Sequence, residues 1–391
     1  MHRPLALIVI AQLFGTSLWF STNGVGDALM VEWGLSATDI GTLTSAVQLG
    51  FIVGTLLFAL SGLADRFAAS RVFLLSSITG SAANLALAWL AQDLATATVF
   101  RFLTGLALAG IYPVGMKLIV SWAPERRGEA LAWLVAMLTL GTATPHLLQG
   151  LSVGLAWPWV ITLASGLALM GGAVIAWLGD GPHLARAPRL KWGSVFRAFH
   201  QPGFRAAALG YFGHMWELYA FWVLVPLLIA ALYPQAATET VSLLAFAVIG
   251  LGAVGCVVAG RLSRRLGSAR VAVIALTTSG GLCLVYPWLV GLSTGLAMAA
   301  LLIWGIAVIA DSAQFSALAS RHAPPDGVAS ALAIMNSIGF GLSALAIPVA
   351  TSLWHDIGEN VSWLLLPGAV LGVAAMRPLL GTRSFLPTRI S

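Results

Sequence analysis

Two stretches decide how this chain is read: Gly62-Leu-Ala-Asp65-Arg66-Phe-Ala-Ala-Ser-Arg71 and, 198 residues later (260 against 62), Gly260-Arg-Leu-Ser-Arg264-Arg265-Leu-Gly267-Ser-Ala-Arg270. Each puts a glycine at the end of a long apolar run and crowds basic residues into a tight connection. The offset is close to half of the 391 residues. A chain whose second half repeats the punctuation of its first is built from two like units, and parallel six-helix repeats are a known plan among membrane transporters.

The runs on either side supply the count. A membrane-crossing helix needs about 20 mainly apolar residues. Twelve stretches qualify: 5–26, 40–63, 72–91, 97–120, 128–152, 157–178, 205–232, 240–262, 270–290, 295–320, 327–353 and 360–378. None alternates apolar and polar residues with period two, so they read as helices and not barrel strands. The first follows only Arg3 and has no clear small-residue cleavage site before Asn23, so it reads as a retained crossing and not as a signal peptide. The longest gap, 179–204, holds Pro182, Pro188, Pro202 and several arginines. The expected organisation is a six-helix bundle over 1–178, a cytoplasmic linker over 179–204 and a second bundle over 205–391.

Composition and charge agree with that count. Only 34 residues (20 basic, 14 acidic) are charged, 9% of the chain, and mean hydropathy is +0.92. A soluble domain carries about 25% charged residues. The composition excludes an ordinary soluble enzyme, a disordered chain and, despite a pI near 9.9, a nucleic-acid binder. With the N-terminus inside and the gaps numbered alternately, 18 of the 20 basic residues fall in inside segments. They include Arg66, Arg71, Arg126, Arg127, Arg186, Arg189, Lys191, Arg264 and Arg265. The outside gaps hold no basic residue but do hold Asp27, Glu32, Asp39, Asp93, Glu239, Asp356 and Glu359. This is the positive-inside distribution, and it places both termini in the cytoplasm.

Other signals are negative. Cys256 and Cys283 both sit in apolar stretches, with neither disulfide nor metal-ligand spacing. Gly250-Leu-Gly252-Ala-Val-Gly255 matches a dinucleotide fingerprint but lies inside the eighth stretch with no strand before it. There is no G-x-x-x-x-G-K-[ST] motif, so energy is expected from a gradient and not from ATP. No metal, no cofactor and no enzymatic activity are expected.

Four charges remain inside the crossings: Arg101 and Lys117 in the fourth, Glu217 in the seventh and Asp311 in the tenth. Each costs about 2.5–3.5 kcal/mol at a helix centre on insertion scales, and such residues mark functional sites by default. His214 and Glu217 are three apart, so they share a face, as do Asp311 and Gln314. These carboxyl and imidazole groups make His214, Glu217 and Asp311 the candidates for proton coupling. In the first crossing Gln12, Thr16, Trp19 and Asn23 run at steps of four, three and four along one polar face.

The first connection resembles the loop motif G-x-L-x-D-R-x-x-x-R of the major facilitator superfamily, through Gly62, Leu63, Asp65, Arg66 and Arg71, with Ala68 where the family commonly has glycine. Arg101-Phe-Leu-Thr-Gly105 in the fourth crossing is similar to the family's R-F-x-x-G. The resemblance covers the whole chain in helix number, halves and loop placement. It implies an all-α polytopic membrane protein of twelve transmembrane helices in two pseudo-symmetric six-helix bundles. It also implies a cytoplasmic gate formed by Gly62, Asp65, Arg66 and Arg71, with Gly260 and Arg264 at the matching place in the other half. In that architecture helices one, four, seven and ten line the central cavity, and all four intramembrane charges and the polar stripe fall on those helices. Drug antiporters of the family carry G-x-x-x-G-P-x-x-G-G in helix five; here Gly141-Thr-Ala-Thr144-Pro145-His146 departs from it.

The expected function is that of a monomeric secondary active transporter in a cell membrane, of the bacterial inner-membrane kind, that moves a small solute by alternating access with proton coupling. Arg101 and Lys117 suit an organic or inorganic anion. The cavity candidates are Gln12, Thr16, Trp19, Asn23, Arg101, Tyr112, Lys117 and Tyr219, with Gln314, His146, Gln149 and Asn336 beside them. The alternative is proton-driven export of amphipathic drugs or metabolites, which the aromatic residues Trp19, Tyr112, Trp216 and Tyr219 favour.

Overall fold

The computed structural model of the chain describes residues 3–61, 66–184, 192–325 and 327–380, and not the side chains of 126–128 and 192. Gly62 and Asp65 of the gate motif, Arg186, Arg189 and Lys191 of the linker, and the basic residues beyond 380 lie outside the described residues.

Among the described residues the chain is helical throughout, with no strand. The first half contains α1 (Arg3–Thr16), α2 (Ser21–Gly24), α3 (Gly26–Trp33), α4 (Ala37–Ser61), α5 (Ala69–Leu90), α6 (Leu94–Leu108), α7 (Tyr112–Trp122), α8 (Arg127–Leu151) and α9 (Trp157–Leu178). A short helix, α10 (Trp192–His200), lies within the expected linker. The second half contains α11 (Pro202–Leu232), α12 (Thr238–Gly250), α13 (Gly252–Leu266), α14 (Ser268–Leu292), α15 (Thr294–Ala310), α16 (Ser312–His322), α17 (Val328–Ile357) and α18 (Ser362–Leu380).

Ten of these segments are long and apolar enough to cross a membrane, and α1 is a shorter apolar helix. The longest, Val328–Leu380, is two helices divided by a 3-10 turn at Gly358–Val361. The set is consistent with twelve crossings.

Several crossings are jointed. The fourth breaks at 109–111 between α6 and α7, and the tenth breaks at Asp311 between α15 and α16. The first, expected to be one helix over 5–26, is interrupted at 17–20 between α1 and α2. No glycine or proline stands in Ser17-Leu18-Trp19-Phe20. The interruption is imposed by a neighbour, described below. The seventh, by contrast, runs unbroken through 31 residues.

The two halves repeat each other in contact as well as in order. A Cβ on Gly105 in the fourth crossing would run into the Val47 carbonyl of the second, and one on Gly305 in the tenth would run into the Val248 carbonyl of the eighth. The backbones therefore touch at equivalent places some 200 residues apart, as small residues allow in membranes. Gly252 and Gly255 of the discounted fingerprint serve the same packing, against the Gly305 and Ile306 carbonyls. Between halves, α4 packs along α17 and α8 along α12 and α13. Gly41 meets Thr351 and Gly150 meets Leu243 at one end, while Gly260 approaches Ala132 (3.1 Å to an added Cβ) at the other.

Two carboxylates outside the crossings fix helix starts. Asp180 accepts from the Ala69 and Ser70 amides at 3.1 and 2.7 Å, so the end of α9 caps α5. Asp93 accepts from the Thr96 amide and hydroxyl, each at 2.8 Å, at the N-cap of α6. The Thr96 amide, then its hydroxyl, hold the exposed Asp93 carboxyl below the usual carboxylate range. A depressed folded-state value contributes stability at pH above the ordinary carboxylate value, and that stability disappears as pH falls through the lower one. Asp93→Asn is therefore expected to lower the melting temperature of the purified protein slightly at neutral pH, with the gap to the wild type closing as pH falls through the acid end of the profile.

Candidate functional site

The halves meet in a cluster of rings. Trp19, in the interruption of the first crossing, lies 4.9 Å from Phe51, 6.5 Å from Tyr112, 6.0 Å from Tyr219 and 5.7 Å from Phe340 between ring centroids. Its plane is within 23° and 24° of those of Tyr219 and Phe340. Phe20 adds contacts to Tyr219 and Trp222, and Phe51 stands 4.6 Å from Phe340. Trp19, Phe20, Phe51 and Tyr112 belong to the first half; Tyr219, Trp222 and Phe340 belong to the second. Every ring contact between halves among the described residues gathers here. The Trp19 Nε1–H donates to Gln48 Oε1 at 3.3 Å. Gln48 is fully buried, and its Nε2 has no hydrogen-bond partner. Sequence reading named Trp19, Tyr112 and Tyr219 but missed Phe20, Gln48, Phe51, Trp222 and Phe340. Nothing distinguishes those five from packing residues until the two halves are placed together.

Arg101 explains the interruption that puts Trp19 there. Its guanidinium is fully buried. One terminal nitrogen donates to the Leu18 carbonyl at 3.0 Å and to Ser21 Oγ at 3.1 Å; the other donates to the Trp19 carbonyl. These are backbone carbonyls that the gap between α1 and α2 leaves without helical partners. The arginine of the fourth crossing thus caps a break in the first, with Asn84 Oδ1 at 3.5 Å beside it. The side chain ends inside the first bundle, on the backbone of the residue whose ring enters the cluster. The guanidinium, expected to lend positive potential to a bound solute, is engaged here by the Leu18 and Trp19 carbonyls and the Ser21 hydroxyl.

The buried carboxylates among the described residues, and the imidazole that faces one of them, sit in the second half, in two rungs that start from the seventh crossing. His214 Nδ1 and Asp311 Oδ1 are 2.7 Å apart, and both side chains are buried. The approach is off the line of a well-aligned hydrogen bond, and His214 Nε2 and Asp311 Oδ2 have no partner. Higher up, Glu217 accepts from Trp304 Nε1 at 2.7 Å and from Ser279 Oγ at 3.0 Å, with Cys283 Sγ at 3.5 Å. His214 and Glu217 share the expected face, but each pairs across to a different residue. The common face of Trp304 and Asp311, seven residues apart, was the available signal. Asp311 lies at the joint between α15 and α16, where backbone geometry changes.

The remaining candidates are dispersed. Gln12 is fully buried with both amide atoms unpartnered, and it rests against Gly115 of α7. Thr16 donates back to the Gln12 carbonyl of its own helix at 2.8 Å, whereas Asn23 donates to Thr44 Oγ1 at 2.9 Å and ties the first crossing to the second. His146 is buried with Nε2 unpartnered. Lys117, Gln149 and Asn336 are half-buried, and Gln314 is buried in the first turn of α16. Of the gate residues, Arg66, Arg71 and Arg264 are exposed, and Gly260 is at the contact with Ala132.

Comparison with known proteins adds the following. The sequence model of the Major Facilitator Superfamily matches residues 6–348. The niacin transporter NiaP of Acinetobacter baylyi is 33% identical over 128 residues, 30% of this chain and 28% of that protein. The first curated relatives are thus matched over only about a third of their length. The gallate transporter of Pseudomonas putida is 26% identical over 411 aligned residues, 93% of this chain and 84% of that protein. Among solved structures, a bacterial homologue of the human lysosomal transporter Spinster, inward-facing and unoccupied, superposes with a TM-score of 0.71 at 14% identity over 96% of this chain and 94% of that one. That likeness concerns the fold.

Proposed function

Because the chain belongs to the Major Facilitator Superfamily, and is therefore a multi-pass membrane transporter, we propose that it carries a small organic anion bearing an aromatic ring, driven by protons, across a bacterial inner membrane. The observation that carries this reading is the ring cluster at the junction of the halves, with His214, five residues before Tyr219 on the seventh crossing, paired in the core with Asp311 of the tenth. Flat rings suit an aromatic cargo, because stacked or edge-on aromatic pairs are stabilised beyond their area of contact. The names of the niacin and gallate transporters point to the same chemistry.

The mechanism is alternating access around that junction. A carboxyl in a low-dielectric core is costly when charged and unpaired. Asp311 has one candidate counter-ion, His214, and a proton on either group changes the charge that the tenth crossing must carry as the halves rock. Cargo and proton bind, the halves tilt, and the contacts that close one end open while those at the other form. Glu217, satisfied by three donors on the ninth and tenth crossings, holds that bundle together. Both termini are placed in the cytoplasm, where the basic connections around Arg66 and Arg264 would form the inner gate.

Purified protein in liposomes tests the proposal. Uptake of gallate or nicotinate should rise with an imposed pH gradient and collapse with a protonophore. Uptake indifferent to the gradient would remove the coupling. Uptake of aliphatic acids alone would remove the aromatic cargo.

A further inference from the structure

The cluster already contains a ring in the place a cargo ring would take. Tyr219 and Phe340 stand 5.5 Å apart and tilt 45° to each other, so they form an open trough on the second half. The Trp19 indole, from the first half, lies over both at 6.0 and 5.7 Å, nearly parallel to each. Trp19 is fully enclosed. Its single polar atom is held by the amide oxygen of Gln48, whose own amide nitrogen is buried and satisfied by nothing. The backbone of Trp19 sits in the interruption between α1 and α2, held by its own N–H on the Thr16 carbonyl at 3.0 Å and by the Arg101 guanidinium on the Leu18 and Trp19 carbonyls.

We propose that Trp19 is a built-in plug that occupies the ring site of the transporter, and that cargo binds by displacing the indole from the Tyr219–Phe340 trough. This rests on the reading above that the cargo is aromatic. When the indole leaves, Gln48 loses its partner, and both ends of its amide become available. The amide N–H groups then meet a carboxylate or phenolic oxygen on the cargo. An empty transporter is sealed at its centre by its own side chain, and only a molecule that can replace a flat ring and satisfy Gln48 opens the seal. The swing is a rotation about the Trp19 side-chain bonds with the backbone held in place, while α11 and α17 present the trough as a rigid surface.

A plugged site binds cargo less tightly than an open one, because apparent affinity is reduced by the fraction of molecules with the plug out. Purified Trp19→Ala protein should bind 4-hydroxybenzoate about tenfold more tightly than the wild type, read as a thermal shift over a concentration series. Gln48→Leu should bind it about tenfold more weakly while melting near the wild-type temperature without ligand. Weaker or unchanged binding by Trp19→Ala would overturn the proposal, as would unchanged binding by Gln48→Leu. Should Trp19→Ala fail to fold, Trp19→Leu, which removes the flat ring and much of its volume but leaves an apolar side chain to support the fold, carries the same expectation.

The seal is read separately without any solute. Tyr112→Cys should be labelled by an impermeant thiol reagent added to the outside of intact cells faster when Trp19 is also replaced by alanine, the native cysteines being buried. If the wild type binds no aromatic acid but this acceleration is seen, the cargo reading fails and the plug stands. Equal labelling rates overturn the plug whatever the cargo.

Discussion

Asp311→Asn is expected to abolish accumulation of solute against a gradient while leaving exchange of labelled for unlabelled solute intact. The substitution keeps shape and removes the charge. Without a titrating group at the joint between α15 and α16, the cost of moving the tenth crossing no longer depends on proton supply. The halves can still rock with cargo bound, so exchange proceeds, but uptake becomes equilibrative and its dependence on pH flattens. His214→Gln leaves the carboxylate of Asp311 buried without its 2.7 Å partner, which costs several kcal/mol if the charge persists. That variant should shift the pH profile of uptake without erasing it. Accumulation retained by Asp311→Asn, at wild-type pH dependence, would take the coupling away from this pair.

The largest expected effect on stability comes from Arg101→Leu. The arginine satisfies the Leu18 and Trp19 carbonyls and the Ser21 hydroxyl in a fully buried place. Leaving one buried acceptor unpaired costs about 1–3 kcal/mol, and polar contacts between membrane helices measure about 0.6–1.7 kcal/mol each. The Trp19 carbonyl loses its side-chain partner outright, while Ser21 Oγ keeps its contacts to the Leu18 carbonyl at 3.2 Å and to Asn84 at 2.7 Å; one unpaired acceptor and two weakened contacts predict a deficit of about 2–3 kcal/mol and a clearly lowered melting temperature in detergent. Arg101→Lys should recover little, because one ammonium cannot reproduce a fork that reaches two carbonyls and a hydroxyl. A variant that melts with the wild type would show that the break in the first crossing holds without its cap.

These two residues show where the sequence was legible. The number of apolar runs, the halves and the placement of charges follow from hydropathy and from the distribution of arginine, because the bilayer enforces both over whole segments. That Arg101, Glu217, His214 and Asp311 matter followed from the cost of charge in lipid. Their partners did not follow. His214 was read beside Glu217, three residues away, yet it meets Asp311 nearly a hundred residues on, and Glu217 meets Trp304. The break at Ser17-Leu-Trp-Phe20 carries no local signal, because its cause is an arginine on another helix. The aromatic junction was half visible, since a ring at a helix face looks the same whether it packs or binds.

The unbroken α11 and the jointed first crossing divide labour between the halves. Among the described residues the buried carboxylates and the imidazole that faces one of them belong to the second half, whereas Trp19 and Gln48 belong to the first. On the reading proposed above, the second half carries both the Tyr219–Phe340 trough and the His214–Asp311 pair, and the first half supplies the ring and the amide that cover them. A substitution at Trp19 or Gln48 would then change how readily the site opens without touching the ionisable pair, whereas one at Tyr219 lies on the same crossing as His214.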